Sequence, residues 1–275
     1  MELGKYNKLT AARYTSVGLF LEDTEGESIL LPMKWVPKDV QEGDEVEVFI
    51  YLDSEERPIA TTMKPAAQVG EFAYLQVKQT TSMGAFLDWG LQKDLFVPFI
   101  EQEGRMQANH WYTVYLYIDP LTDRITASAR IENFLEKENV ELQPNQEVDL
   151  LVASQSPLGY NVIINQKYMG LVYENEVFKN LKLGDKPKGY IKQIREDNKI
   201  DVSLQKQGYG NVEPNTQVIL DKLKSADGFL PLNDKSSPEE ITAQLEMSKK
   251  TFKKAIGGLY REKQITIEDD GIRLV

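Results

Sequence analysis

The residues best placed to do chemistry in this sequence are cations. Lys249, Lys250, Lys253 and Lys254 recur at spacings that an α-helix, with about 3.6 residues per turn, gathers on one side, away from the apolar Phe252 and Ile256. A one-sided row of ammonium groups neutralises phosphates and releases their counterions, so the chemistry it suggests is polyanion binding. The plainer alternative is a solvated helix face. A second set, Lys186, Lys188, Lys192 and Arg195, falls in an alternating stretch, and members two apart share one side of a strand.

Covalent and metal chemistry find less support. The chain has no Cys, which removes thiolate nucleophiles, thiolate metal sites and disulfides. Its single histidine, His110, stands beside Trp111 and Tyr112 and reads as a strand-entry residue rather than a general base. Asp94, Glu101, Glu103 and Asp119 lie in turn-like stretches, where carboxylates serve solubility and backbone capping. Neither a Walker-type phosphate loop nor a Gly-x-Ser-x-Gly elbow occurs. These features argue against an enzyme and imply neither a cofactor nor a metal. Trp35, Trp89 and Trp111 could stack on bases, but large aromatics in small domains more often fill cores.

Charge is distributed unevenly along the 275 residues, whose formal net charge is -11. Residues 1–158 carry 13 Lys and Arg against 26 Asp and Glu, whereas residues 159–275 carry 19 against 17. The acidic portion suits a basic partner, and the near-neutral portion can still present a basic face. Met1 to Arg13 lacks a signal-peptide core, and no run approaches the roughly 18 apolar residues of a membrane span. A cytoplasmic monomer without membrane association is the expectation.

The elements that must position these groups are mostly strands. Met83 to Phe99 reads as a hairpin: an apolar run around Phe86 and Leu87, a break at Asp88-Trp89-Gly90, and a second run at Leu95-Phe96-Val97. Val17 to Pro32 and Leu158 to Tyr173 repeat the pattern. Each copy sits in a unit of five short strands, which suggests small barrels closed to remove their edges. The expected units are 1–65, 66–139 and 140–210, with Ile131 to Asn139 as a short connecting helix. The last segment, 211–275, changes period. Ser237-Pro238-Glu239-Glu240 is a helix start with a capping box, Ser248 caps a further helix, and Asp270-Gly271 turns a terminal hairpin. Helices followed by a hairpin predict a winged helix.

The order of Gly84-Ala85-Phe86-Leu87, Gly170-Leu171-Val172, Gly184-Asp185 and Ile200-Asp201-Val202-Ser203 resembles the S-one RNA-binding domain, a five-stranded OB-fold barrel. Three such domains and a winged helix resemble the conserved virulence factor B family of Gram-positive bacteria over nearly the whole chain. The resemblance implies a mostly β chain with a C-terminal α+β domain: three tandem OB-fold barrels, then the winged helix. It also implies a cytoplasmic, non-catalytic RNA-binding regulator of virulence-factor expression.

Carried over residue by residue, the aromatic of the barrel's binding face falls on Phe20, Phe86 and Asn161. The aromatic before the central Gly is replaced by Val17, Met83 and Leu158, and the histidine after Leu-Val by Leu31, Val97 and Tyr173. RNA, single-stranded by preference, is therefore expected on the third barrel through Tyr160, Lys167, Tyr168, Tyr173, Lys186, Lys188, Lys192 and Arg195. The winged helix adds Lys249, Lys250, Lys253 and Lys254, and Phe20 and Phe86 are secondary contacts. Two alternatives stand beside this: a scaffold whose acidic barrels dock a basic protein, and a winged helix binding duplex DNA, though its helix lacks an Arg or Asn set for base edges.

Overall fold

Alternation in Glu45–Leu52 places Val46, Val48 and Ile50 on one side of a strand, and all three are buried. The structure, a computed structural model, describes residues 1–177, 181–205, 212–261 and 263–275. The first five strands are β1 (Tyr6–Tyr14), β2 (Gly18–Glu22), β3 (Ser28–Pro32), β4 (Glu45–Leu52) and β5 (Pro58–Thr61). They form one sheet in the order β3-β2-β1-β4-β5 around Leu9, Leu19, Leu21 and Leu31. The sheet curls without closing: β3 and β5 approach one another but share no ladder among the described residues. Each of these edge strands carries a proline, Pro32 and Pro58, with no N–H to donate.

Closure is complete in the next two units. Strands β6 (Phe72–Thr80), β7 (Gly84–Asp88), β8 (Leu95–Pro98), β9 (Trp111–Ile118) and β10 (Ile125–Ser128) make a barrel sealed where Thr126 pairs Phe96 in parallel. Strands β11 (Glu147–Ser156), β12 (Gly159–Ile164), β13 (Tyr168–Tyr173), β14 (Lys188–Ile194) and β15 (Ile200–Ser203) make another. All three units bulge their first strand at the same place, between Ala11 and Arg13, Val77 and Gln79, and Val152 and Ser154. A bulge sharpens the bend that curls a sheet. The repeated glycine is explained by contact: a Cβ on Gly18, Gly84 or Gly159 would stand 2.2, 2.3 or 2.1 Å from the carbonyl oxygen of Leu31, Val97 or Val172.

The chain divides into two compact units, Met1–Leu135 and Glu136–Val275. In the first, the two sheets share a core. Phe49 and Tyr51 of β4 join the buried cluster of the second barrel, and Phe49 meets Trp89 edge-on at 5.7 Å. The connecting helix expected over Ile131 to Asn139 is absent; a single 3-10 turn, Ile131–Asn133, stands there. Phe134 leaves the chain path to stack on Tyr115 at 4.3 Å, and Asn139 takes a left-handed φ of 54° that no helix interior accepts.

Helical periodicity is realised in the last segment as α1 (Val212–Ser225), α2 (Pro238–Leu245) and α3 (Lys249–Arg261). The expected boundary at residues 210 and 211 lies outside the described residues. Gly228, at φ 81°, stops α1 by donating its N–H to the Leu223 carbonyl at 2.8 Å. The Ser237 and Glu240 side chains exchange bonds with each other's N–H groups, at 3.2 and 2.9 Å, and Ser248 Oγ accepts from Thr251 N at 3.0 Å. The terminal hairpin, β17 (Ile265–Ile267) and β18 (Ile272–Leu274), gains a strand unforeseen in the sequence, β16 (Phe229–Leu230). The result is a winged helix. Among the described residues no helix is long and apolar enough to cross a membrane.

Candidate nucleic-acid interface

Burial of Phe252, Ala255, Ile256 and Leu259 fixes how α3 is rotated. At about 100° per residue, Lys249, Lys250, Lys253 and Lys254 then span an outward arc of about 140°, and Arg261 falls inside it. Lys250, Lys253 and Lys254 are exposed and Lys249 half-buried. Two of these cations are held only lightly: Lys249 Nζ reaches the Lys235 carbonyl at 3.5 Å, and Lys253 lies 4.0 Å from Asp234. Gly257 sits mid-arc with open space where a side chain would be, which leaves helix backbone accessible. Tyr260, 57% exposed, stands within the same arc. Arg261 escaped the sequence reading, and Tyr260, expected from the sequence in the apolar stripe beside Leu259, is exposed instead; helical spacing places both on the lysine side.

The third barrel brings fewer of its expected residues together. On β13, positions 169, 171 and 173 face outward while 168, 170 and 172 are buried. Tyr168 is 3% exposed and its ring belongs to the core, so it offers no stacking face. Tyr160 pairs with the buried Val172 and packs partly against the same core. Tyr173 faces outward. Arg195 donates to its hydroxyl while gripping Asp201 through Nε at 3.1 Å and a terminal nitrogen at 2.7 Å. Gln193 also donates to Asp201, at 2.6 Å, and the Lys192 ammonium lies 5.8 Å from the Tyr173 ring centre.

The cations of this barrel do not form one patch. Lys188 opens β14, pairing across to Asp149 at 2.6 Å, whereas Arg195 follows its far end. Lys192 is tied to Glu176, and Lys167 to Glu136 and Glu141 at 3.2 and 3.7 Å. Lys186 is exposed and, among the described residues, has no ion pair. Exposed pairs such as Lys188–Asp149 are screened by solvent and only weakly held, so phosphate competes for them readily. Arg195 is different, because Asp201 is buried.

Register corrects the expected place of the binding-face residues. Tyr173 pairs the central Gly159, and its counterparts opposite Gly18 and Gly84 are Pro32 and Pro98, not Leu31 and Val97, which point into the cores. Two residues further along, the outward pairs are Phe20 with Leu30, Phe86 with Phe96, and Asn161 with Leu171. The second barrel therefore presents two aromatic rings, 5.0 Å apart and tilted by 40°. Phe20 lies under the Arg13 guanidinium at 4.4 Å. Of the tryptophans, Trp89 is buried as expected, but Trp111 is 50% exposed and stacks on Tyr74 at 5.5 Å.

Comparison with known proteins finds two domain matches: a CvfB-like winged helix domain over residues 217–274 and an S1 domain over residues 3–63. The protein YitL of Bacillus subtilis is 28% identical, the alignment spanning 98% of this chain and 92% of that protein. Conserved virulence factor B of Staphylococcus epidermidis is 28% identical and that of Staphylococcus aureus strain USA300 27%, each over 92% of this chain and 88% of the relative. A crystal structure described as a multidomain protein with nucleic acid binding domains, from Streptococcus pneumoniae TIGR4, aligns at 24% identity over 99% of this chain and 98% of that one, with a TM-score of 0.43. Both domain types point to nucleic acid as the ligand.

Proposed function

Because this chain belongs to the conserved virulence factor B family, we propose that it is a non-catalytic regulator that holds single-stranded RNA on its winged helix and third barrel and controls gene expression after transcription. The observation that carries this reading is α3: in a chain of net charge -11, it presents four lysines and Arg261 on one side. Phosphate binding depends on where cations stand, not on the sum over the molecule.

Single strands suit the rest of the geometry. OB-type barrels hold a strand on an open face, and Tyr173, fixed by Arg195 and Asp201, offers one ring for stacking. The lysine row grips phosphates as point charges and carries no obvious base code. A monomer in the cytoplasm completes the proposal.

Fluorescence polarisation of the full chain with single-stranded RNA, duplex RNA and duplex DNA over a salt series tests it. Reversing Lys249, Lys250, Lys253 and Lys254 to Glu should weaken RNA binding at least tenfold. The slope of log K against log salt should flatten by about 0.7 for each phosphate that the variant no longer neutralises. Unchanged affinity in that variant, or a preference for duplex DNA, overturns the reading.

A further inference from the structure

The N-terminal unit holds a cavity of about 420 Å³ between its two sheets. That lies within the usual range for ligand pockets, which are concave and mostly apolar with a few placed polar groups. Phe86, Phe96 and Leu95 supply apolar wall, and Met83 stands at its rim, 66% exposed. Two polar groups face it uncommitted. Tyr51 is only 5% exposed, yet its hydroxyl has no hydrogen-bond partner among the described residues, and neither has the Gln79 amide. Burial, and secondarily Asp53, raise the Tyr51 pKa and keep it a neutral donor.

The charges say what kind of partner fits. The cavity's two cations, Lys93 and Arg124, are both engaged by the single carboxylate of Glu56, at 3.0 and 3.2 Å. Lys93 also donates to the Asp53 carbonyl at 2.8 Å. Around them, residues 1–135 carry 12 Lys and Arg against 21 Asp and Glu, a balance of -9. A phosphate strand entering here meets a repelling field and cations already engaged by Glu56. A positively charged chain is attracted by the same field and approaches faster.

We propose that this cavity docks a cationic polypeptide segment, seating one aromatic or large aliphatic side chain against Phe86 and Phe96 while Tyr51 and Gln79 bond its backbone. Buried anchors in such pockets dominate interface energetics, and the surrounding charges steer the encounter. This docking site is independent of RNA binding by the C-terminal unit.

The test uses the full chain and fluorescent peptides of about nine residues, made of Arg and Lys around a central Phe, Trp, Leu or Ala. Peptides with a large anchor should bind about tenfold or more tightly than the Ala peptide. Gln79→Ala, Tyr51→Phe and the rim variant Met83→Glu should each shrink that preference while melting temperature and RNA affinity stay unchanged. Equal binding of all four peptides, or none at millimolar concentration, overturns the proposal. So does displacement of the anchored peptide by oligouridylate together with weakened RNA affinity in Phe86→Ala, which would make this a nucleic-acid face. Failure of RNA binding alone leaves the peptide result standing and tells against the regulatory reading only.

Discussion

A methyl group added at Gly84 would press on the Val97 carbonyl, so β7 and β8 must part to admit it. Gly84→Ala should cost about 1–3 kcal/mol, the range for overpacking, read from the denaturant midpoint. Gly18 and Gly159 make the same contact, which is why the repeat could be read from the sequence at all: backbone proximity imposes one residue type three times. Phe96 was not legible in that way. Whether it or Val97 faces outward depends on register, and a slip of one residue exchanges the two sides of a strand. Asp201 is buried under Arg195, whose side chain is 37% exposed. Asp201→Asn should therefore cost about 1–2 kcal/mol, less than a fully buried pair would, and should release Tyr173. Tyr117 is a titration marker, its pKa pushed up to about 12 by burial and then by Glu101 and Asp119. Because the unfolded chain ionises at its ordinary value, near 10, stability should fall as pH rises from about 10 to about 12. Tyr117→Phe should lessen that fall in an alkaline unfolding series.

Among the elements, helix starts were the most readable, because their chemistry is local. Ser237→Ala removes the acceptor for Glu240 N and should destabilise the winged helix by about 1 kcal/mol, visible as a lowered melting temperature. Strand β16 is only two residues long and owes its existence to β18, so no pattern within it announces a strand. The supposed helix before the third barrel failed for a related reason: Phe134 finds its partner on β9, and tertiary contact outweighs helical propensity. Basic residues clustered in the sequence of β14 separate in space because a strand is extended. At about 3.3 Å per residue, Lys188 and Arg195 stand roughly 20 Å apart. On α3 the same kind of clustering survives, since a helix folds neighbouring turns onto one side.

For the whole molecule, net charge was the least informative number and its distribution the most. The overall -11 is concentrated in residues 1–135, which carry -9, so raising salt should weaken RNA binding and peptide docking at separate sites. Phe49 and Trp89 carry a different consequence. A strand of the first sheet finishes the interior of the second, so these two are not beads to be cut apart and recombined. A fragment beginning at residue 66 would leave Trp89 facing solvent, with red-shifted emission and a tendency to aggregate. Evolution can therefore duplicate, discard or transplant the two sheets only together.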